Sequence, residues 1–170
     1  MSEVGPVLSS EAARAPQGRA TFFGTNYHKV SGKNQVAIPK QHKRALDEAQ
    51  EGPLLLMRWQ NEPYLRLYTK KQFDQKLDEV KQKPNLSNEE KAAVIEYMAR
   101  VCEPVEPDSQ GRFVLPAKWM EALNIRDEVA FCGAFTFIKI WPAELQRDFD
   151  KNEEQKMASM SEKVTSILNL

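Results

Sequence analysis

Asp108-Ser109-Gln110-Gly111-Arg112-Phe113-Val114-Leu115-Pro116 sets an acid and a base four positions apart around a glycine. It then runs directly into an alternating apolar segment closed by proline. Seventy-seven positions earlier a worn copy stands: Ser31-Gly32-Lys33-Asn34-Gln35-Val36-Ala37-Ile38-Pro39. Leu115 falls on Ile38, Pro116 on Pro39, and Ala122-Leu123 on Ala45-Leu46. A second match, Tyr64-Leu65-Arg66-Leu67-Tyr68 with Phe137-Ile138-Lys139-Ile140-Trp141, has an offset of 73, as a connection four residues shorter in the second copy would give. One unit is written twice, and such self-similarity dictates the architecture before any local propensity does.

The 170 residues suffice for one ordinary domain or two small halves sharing a core. Formal net charge is zero, so no global electrostatic case for nucleic acid exists, but the charge is unevenly placed. No Asp or Glu occurs between positions 12 and 46, whereas Arg14, Arg19, Lys29, Lys33, Lys40, Lys43 and Arg44 all do. Such a run is either a solvated face or a local surface for an anion. Cys102 and Cys132 lie in apolar sequence without metal-ligand spacing, which implies reduced, buried thiols in an intracellular protein. The amino terminus has acids at Glu3 and Glu11 and no apolar segment of a secretory signal. No stretch approaches the ~18 apolar residues of a membrane span.

Residues 1–20, rich in Ala, Ser, Gly and Pro, read as a disordered tail. Residues 22–30 read as a strand, and Gly32 and Asn34 as a turn, since both tolerate positive φ. Residues 35–38 return as a strand, and Pro39 fits the first turn of a helix over 40–49. Strands over 54–57 and 64–68 flank a turn at Asn61-Glu62-Pro63. Two helices follow, the first carrying Phe73, Leu77 and Val80 on one face. The second opens on a Ser87/Glu90 capping box and carries the stripe Val94, Tyr97, Met98, Val101. The second copy repeats the order, and Pro142 opens a final helix whose Met157, Met160, Val164 and Ile167 form a stripe for the core or a subunit contact. The implied organisation is a tail (1–20), a first repeat with its helix (22–83), a bridging helix (84–100), a second repeat (101–145) and a carboxy-terminal helix (146–170).

Four residues span a two-strand reversal, so the Asp108 carboxylate can reach back and hold the Arg112 guanidinium in a fixed fork. That pair either closes a hairpin and no more, or presents donors to phosphate or a guanine edge. The turn occurs twice, and His28, Lys29, Lys33, Lys40 and Lys43 flank the first.

Phe23-Gly24, His28, a turn and apolar-Pro are followed about 75 residues later by Asp-x-x-Gly-Arg. With a closing apolar-Lys-apolar-Trp, this arrangement resembles the MraZ family, whose members carry two AbrB-like repeats. The resemblance spans residues 22–145, and Asp108, Gly111, Arg112, Pro116, Gly133 and Trp141 fit its second motif. It implies an α+β fold: a pseudo-twofold, swapped-hairpin AbrB-like β-barrel of two repeats with flanking helices, assembled into a homo-oligomeric ring. The implied partner is double-stranded DNA, in promoter repeats upstream of the division and cell-wall gene cluster. The implied location is the cytoplasm, in association with the nucleoid. The family's first motif reads Asp-x-Lys-Gly-Arg, whereas this chain has Ser31, Lys33, Asn34 and Gln35. Loss of acid and base together leaves no orphan charge, so the hairpin should keep its stability. Recognition should change, because Gln bonds bidentately to adenine where Arg prefers guanine.

The expected DNA-binding residues are therefore Lys29, Lys33, Asn34, Gln35, Lys40 and Arg112, with Asp108, Gly111, Pro39 and Pro116 shaping the motifs. The alternative is a ring-forming scaffold that has lost specific DNA binding. An enzyme is not expected: His28 and His42 are the only histidines, neither has a zinc-ligand spacing, and no nucleophile elbow or phosphate loop occurs. No catalytic residue, metal, cofactor, membrane or small-molecule substrate is implied.

Overall fold

In the computed structural model, which describes residues 19–169, each copy folds as strand, turn, strand, helix and hairpin. The first supplies β1 (Thr25–Lys29), β2 (Gln35–Ala37), α1 (Lys40–Ala49), β3 (Leu54–Met57) and β4 (Leu65–Thr69). The second supplies β5 (Cys102–Val105), β6 (Arg112–Val114), α4 (Ala117–Leu123), β7 (Glu128–Gly133) and β8 (Ile138–Pro142), counting the intervening helices α2 (Lys70–Lys81) and α3 (Asn88–Arg100). After β8 come α5 (Ala143–Ser159) and α6 (Ser161–Leu168). The four residues lost from the second copy go in two steps. Leu46 to Leu54 shortens by two as Leu123 to Val129, and the hairpin pair Leu54↔Thr69 shortens by two as Val129↔Pro142.

Local chemistry sets the element ends. Pro39 and Pro116 occupy the N-cap positions of α1 and α4, one place before the first helical residue. Gln50 and Asn124 close these helices in the left-handed region. Capping boxes open α2 (Thr69 with Gln72) and α3 (Ser87 with Glu90), satisfying backbone N–H groups the first helical turn cannot.

The two copies complete each other's sheet. Strand order is β1-β7-β8-β4-β3-β5, all antiparallel, so the first strand of each copy pairs with the third strand of the other. β4 pairs with β8 across the centre, and β2 pairs with β6 as a separate ribbon. The expected barrel does not close. β2 and β6 are three residues long and satisfy each other, so the six-stranded sheet ends open at β1 and β5. Pro104, which cannot donate to a ladder, sits on the β5 edge, where no donor is needed.

Alternation within the strands sends Leu54, Leu56, Leu65, Leu67, Val129, Phe131, Ile138 and Ile140 into one core. There they meet Val36 and Phe113 from the ribbon and Trp119 and Met120 from α4. On the sheet's other side, α2 and α3 cover Met57 and Tyr68 with Phe73, Leu77, Val80, Val94 and Met98, as their stripes predict. Under α5 lie Ala130, Cys132 and Trp141, with Phe149 against the Trp141 ring.

Several expectations change. The tail lies outside the described residues except for its last two positions, and of these Ala20 is buried. Its N–H donates to Glu51 Oε1 (2.8 Å) and its carbonyl accepts from Gln72 Nε2 (3.0 Å). In the first turn only Asn34 takes positive φ (58°); Gly32 does not. The single final helix is two, broken at Met160, and the Met157-to-Ile167 stripe stays outside the core, with Met157 and Ile167 exposed. No helix among the described residues is long and apolar enough to cross a membrane.

Candidate nucleic-acid interface

The two turns that bracket the β2/β6 ribbon repeat one another bond for bond. Ser31 N–H donates to Gln35 O at 2.9 Å and Asp108 N–H to Arg112 O at 2.9 Å. Asn34 N–H donates to Ser31 O (3.0 Å) as Gly111 N–H does to Asp108 O (2.9 Å). Each turn then reaches across the ribbon: Leu115 N–H donates to Asn34 O (2.8 Å), and Ile38 N–H to Gly111 O (2.9 Å). Even the acid has a counterpart. Asp108 Oδ1 accepts from Gln110 and Arg112 N–H (both 2.9 Å), while Ser31 Oγ accepts from Lys33 (3.4 Å) and Gln35 N–H (3.2 Å). Serine thus keeps the shape of the turn without the charge, and Asn34 fills the left-handed position that Gly111 (φ 79°) holds in the second copy.

The second turn is the more tightly tied. Asp108 Oδ2 accepts from Arg112 Nε at 2.7 Å, so the carboxylate grips one nitrogen rather than the expected two-pronged fork. The backbone N–H of Arg112, followed by its side chain, holds the Asp108 carboxyl below the usual carboxylate range. The terminal nitrogens of Arg112 have no hydrogen-bond partner among the described residues, and the side chain is exposed. A Cβ on Gly111 would sit 3.5 Å from Ile38 O and 3.3 Å from Lys43 Cδ, in a backbone conformation that disfavours any side chain. Lys43 itself is paired with Asp47 (2.7 Å).

The ribbon buries Val36 and Phe113 and turns Gln35, Ala37, Arg112 and Val114 outward. The expected site residues fall at different places around it. Lys33, Asn34 and Gln35 form its first-turn end. Lys40 lies at the other end, in a cleft with Ala37, His28, Asn26, Gln41 and Gln110 of the second turn. Lys29 points off the ribbon. It shares the outer face of β1 with Tyr27, whose ring carries Arg147, and stands opposite Glu128, itself paired with Arg147 at 2.6 Å. Pro39 and Pro116 lead each ribbon strand into its helix. Sequence reading did not select Asn26, Gln110 and Val114 for the site, and only the register of β1, β2 and β6 brings them there.

The two histidines differ. His28 is half-buried and edge-on to Phe131. His42 is 1% exposed, edge-on to Phe22, and its Nε2 has no partner among the described residues. Burial first, and the nearby His28 second, push the His42 pKa down. The unfolded chain therefore takes up a proton near the ordinary histidine value of ~6.5 that the folded chain refuses. Stability is accordingly expected to fall as pH drops from 7 toward 5, and this slope should flatten in His42→Gln whatever that change does at pH 7. Urea midpoints across the range measure it, and an unchanged slope in the variant refutes the assignment. Burial also pushes the free thiols of Cys102 and Cys132 up, to about 12 and about 11.

Comparison with known proteins adds an independent line. Residues 98–169 match the family model for the MraZ protein, a span that contains the Asp108 turn and omits the altered first one. The chain is 26% identical over 141 residues to the transcriptional regulator MraZ of Bacteroides thetaiotaomicron, covering 83% of this chain and 90% of that one. It is 28% identical over 123 residues to that of Bacteroides fragilis, covering 72% and 78%. With the Mycobacterium ulcerans protein of the same name it shares 26% identity over 141 residues, covering 83% and 94%. Matched through its second copy by the family model and along most of its length by these relatives, the chain is similar to MraZ proteins.

Proposed function

We propose that this protein is a DNA-binding transcriptional regulator and that the outward face of the β2/β6 ribbon, with its two turns, is the surface that meets the duplex. The observation that carries this reading is Arg112, held at Nε by Asp108 and free at its terminal nitrogens, on a two-stranded ribbon narrow enough for a major groove. Lys33 and Lys40, exposed at opposite ends of the ribbon, are placed to take phosphates on either side of it. Asn34 and Gln35 contribute polar donors at the first turn. Lys29, turned toward the α5 side, contributes to the field of the surface more than to a contact. The names of the relatives, all transcriptional regulators, support the same conclusion.

The finer reading extends the resemblance: a pseudo-twofold AbrB-like unit, assembled as a ring, cytoplasmic and nucleoid-associated, acting at promoter repeats upstream of the division and cell-wall gene cluster. It needs no cofactor or metal and performs no catalysis. The exchange of strands between copies supports the AbrB-like part. A ring would repeat one modest contact many times and gain avidity without any new one.

Fluorescence anisotropy against the DNA upstream of the protein's own gene, with a scrambled duplex as control, tests the proposal over a salt series. Preference for the upstream DNA is expected, with a steep slope of log affinity on log salt. Lys33→Ala should reduce that slope by roughly 0.9, one phosphate contact per bound subunit. A second reading, a scaffold without specific recognition, draws on the missing arginine at Gln35 and on Glu128 opposite Lys29. Equal and weak binding to both duplexes would establish it.

A further inference from the structure

The ribbon has near-twofold geometry but not twofold chemistry. The axis that relates the copies exchanges Gln35 with Arg112 and Ala37 with Val114, and the register places Gln35 opposite Val114 and Ala37 opposite Arg112. Each end of the outward face is therefore one long polar side chain beside one apolar one, donated by the other strand. At the first-turn end the pair is glutamine and valine; at the second-turn end it is arginine and alanine. The valine is in none of the core clusters of the described residues. It is 57% exposed, while Phe113 and Leu115 on either side of it are buried in the core. An exposed β-branched side chain directly across an antiparallel pair lies ~5 Å from its partner, so Gln35 and Val114 act on the same spot.

We propose that this face reads duplex DNA in one orientation only, with Gln35 and Val114 together taking an A·T pair and Arg112 beside Ala37 taking a guanine. The inference rests on the DNA-binding reading above and specifies its ligand. An A·T pair shows the major groove an acceptor and a donor on adenine next to a methyl group on thymine. A carboxamide supplies the matching donor and acceptor, and the valine methyls cover the thymine methyl. Guanine shows two acceptors, which match the two terminal nitrogens of Arg112 that Asp108 leaves free. Ala37, the smallest side chain on the face, leaves that guanidinium unobstructed. The unlike pairs distinguish the two directions of approach.

Selection of binding sites from random duplex by the full chain, followed by anisotropy on the enriched sequence, tests this. The enriched site is expected to be non-palindromic, with an A·T pair at one end of the contact and a G·C pair at the other. Replacing the critical thymine by uracil removes one methyl group and should weaken wild-type binding about fourfold. The same replacement should leave Val114→Ala unaffected. The double variant Gln35→Arg/Val114→Ala, with like pairs at both ends, should enrich guanine at the end where the wild type takes an A·T pair. A palindromic site for the wild type, or a uracil penalty that persists in Val114→Ala, overturns the oriented reading while leaving DNA binding intact. No enrichment of any sequence overturns both. In the wild type the uracil replacement changes only the DNA, and the absence of a penalty there would overturn the reading however the variants fold.

Discussion

Gly133→Ala is expected to cost at least about 3 kcal/mol and to leave little folded protein, because overlap with backbone cannot be relieved by a rotamer change. A Cβ at that position would lie 2.3 Å from Phe23 N, 2.4 Å from Phe22 C and 2.5 Å from Phe22 O. The crowding follows from pairing. Gly133 N–H donates to Gly24 O (2.8 Å), and just beyond it Phe22 and Phe135 exchange bonds of 2.8 and 3.1 Å. Any shift that makes room for a methyl group pulls this ladder apart. Phe135, at φ 68°, gains its hold from the same exchange, so the turn between β7 and β8 would loosen with it. Gly32→Ala is the matched control: a Cβ there meets nothing within 4 Å, and its stability should stay within about 0.5 kcal/mol of wild type. Urea denaturation of both variants measures the contrast. Equal midpoints would mean that the amino-terminal segment does not approach Gly133 as described.

Glu62→Ala is expected to cost about 2 kcal/mol, more than a surface ion pair and less than a fully buried one. Glu62 takes Arg66 Nε at 2.7 Å and its terminal nitrogen at 2.6 Å, with the two side chains 16% and 23% exposed. Arg66 also donates to Tyr68 Oη (2.8 Å) and lies over the Phe137 ring at 4.8 Å and the Tyr64 ring at 5.8 Å. The hydrogen bonds to Glu62 raise the Arg66 pKa further, so removing the carboxylate strands a charge among aromatic rings rather than neutralising it. Adding Arg66→Met should recover part of the loss, since a flexible apolar side chain can fill the space between those rings. A double variant less stable than Glu62→Ala would show that the guanidinium, even alone, contributes more by stacking than its burial costs.

What the sequence disclosed was local. The repeated turn, the prolines leading into α1 and α4, the Ser87/Glu90 cap and the stripe through Val94 and Met98 are each written within a few residues, and each stands where expected. The Thr69/Gln72 cap, directly before the Phe73, Leu77, Val80 stripe of α2, is equally local. Other features depend on distant partners. Gly133 is needed because of Phe22 and Phe23, Ala20 is fixed by Glu51 and Gln72, and Val114 joins Gln35 only through strand register. Two substitutions that looked like losses, Ser31 for Asp and Asn34 for Gly, reproduce the hydrogen bonds of the second turn by different chemistry. At Gln35, where the family motif has Arg, the backbone bond of the turn is kept and the difference lies in the side chain the ribbon turns outward.

The mutual completion of the sheet also sets a schedule for the nascent chain. Thr25 pairs with Cys132, so β1 has its partner more than a hundred residues away. At roughly 5–20 residues per second, that is about 5–20 s before β1 meets β7. Over that interval the first half can close its own hairpin but not its sheet. Each half leaves the other's sheet incomplete, so the two copies reach their final pairing together.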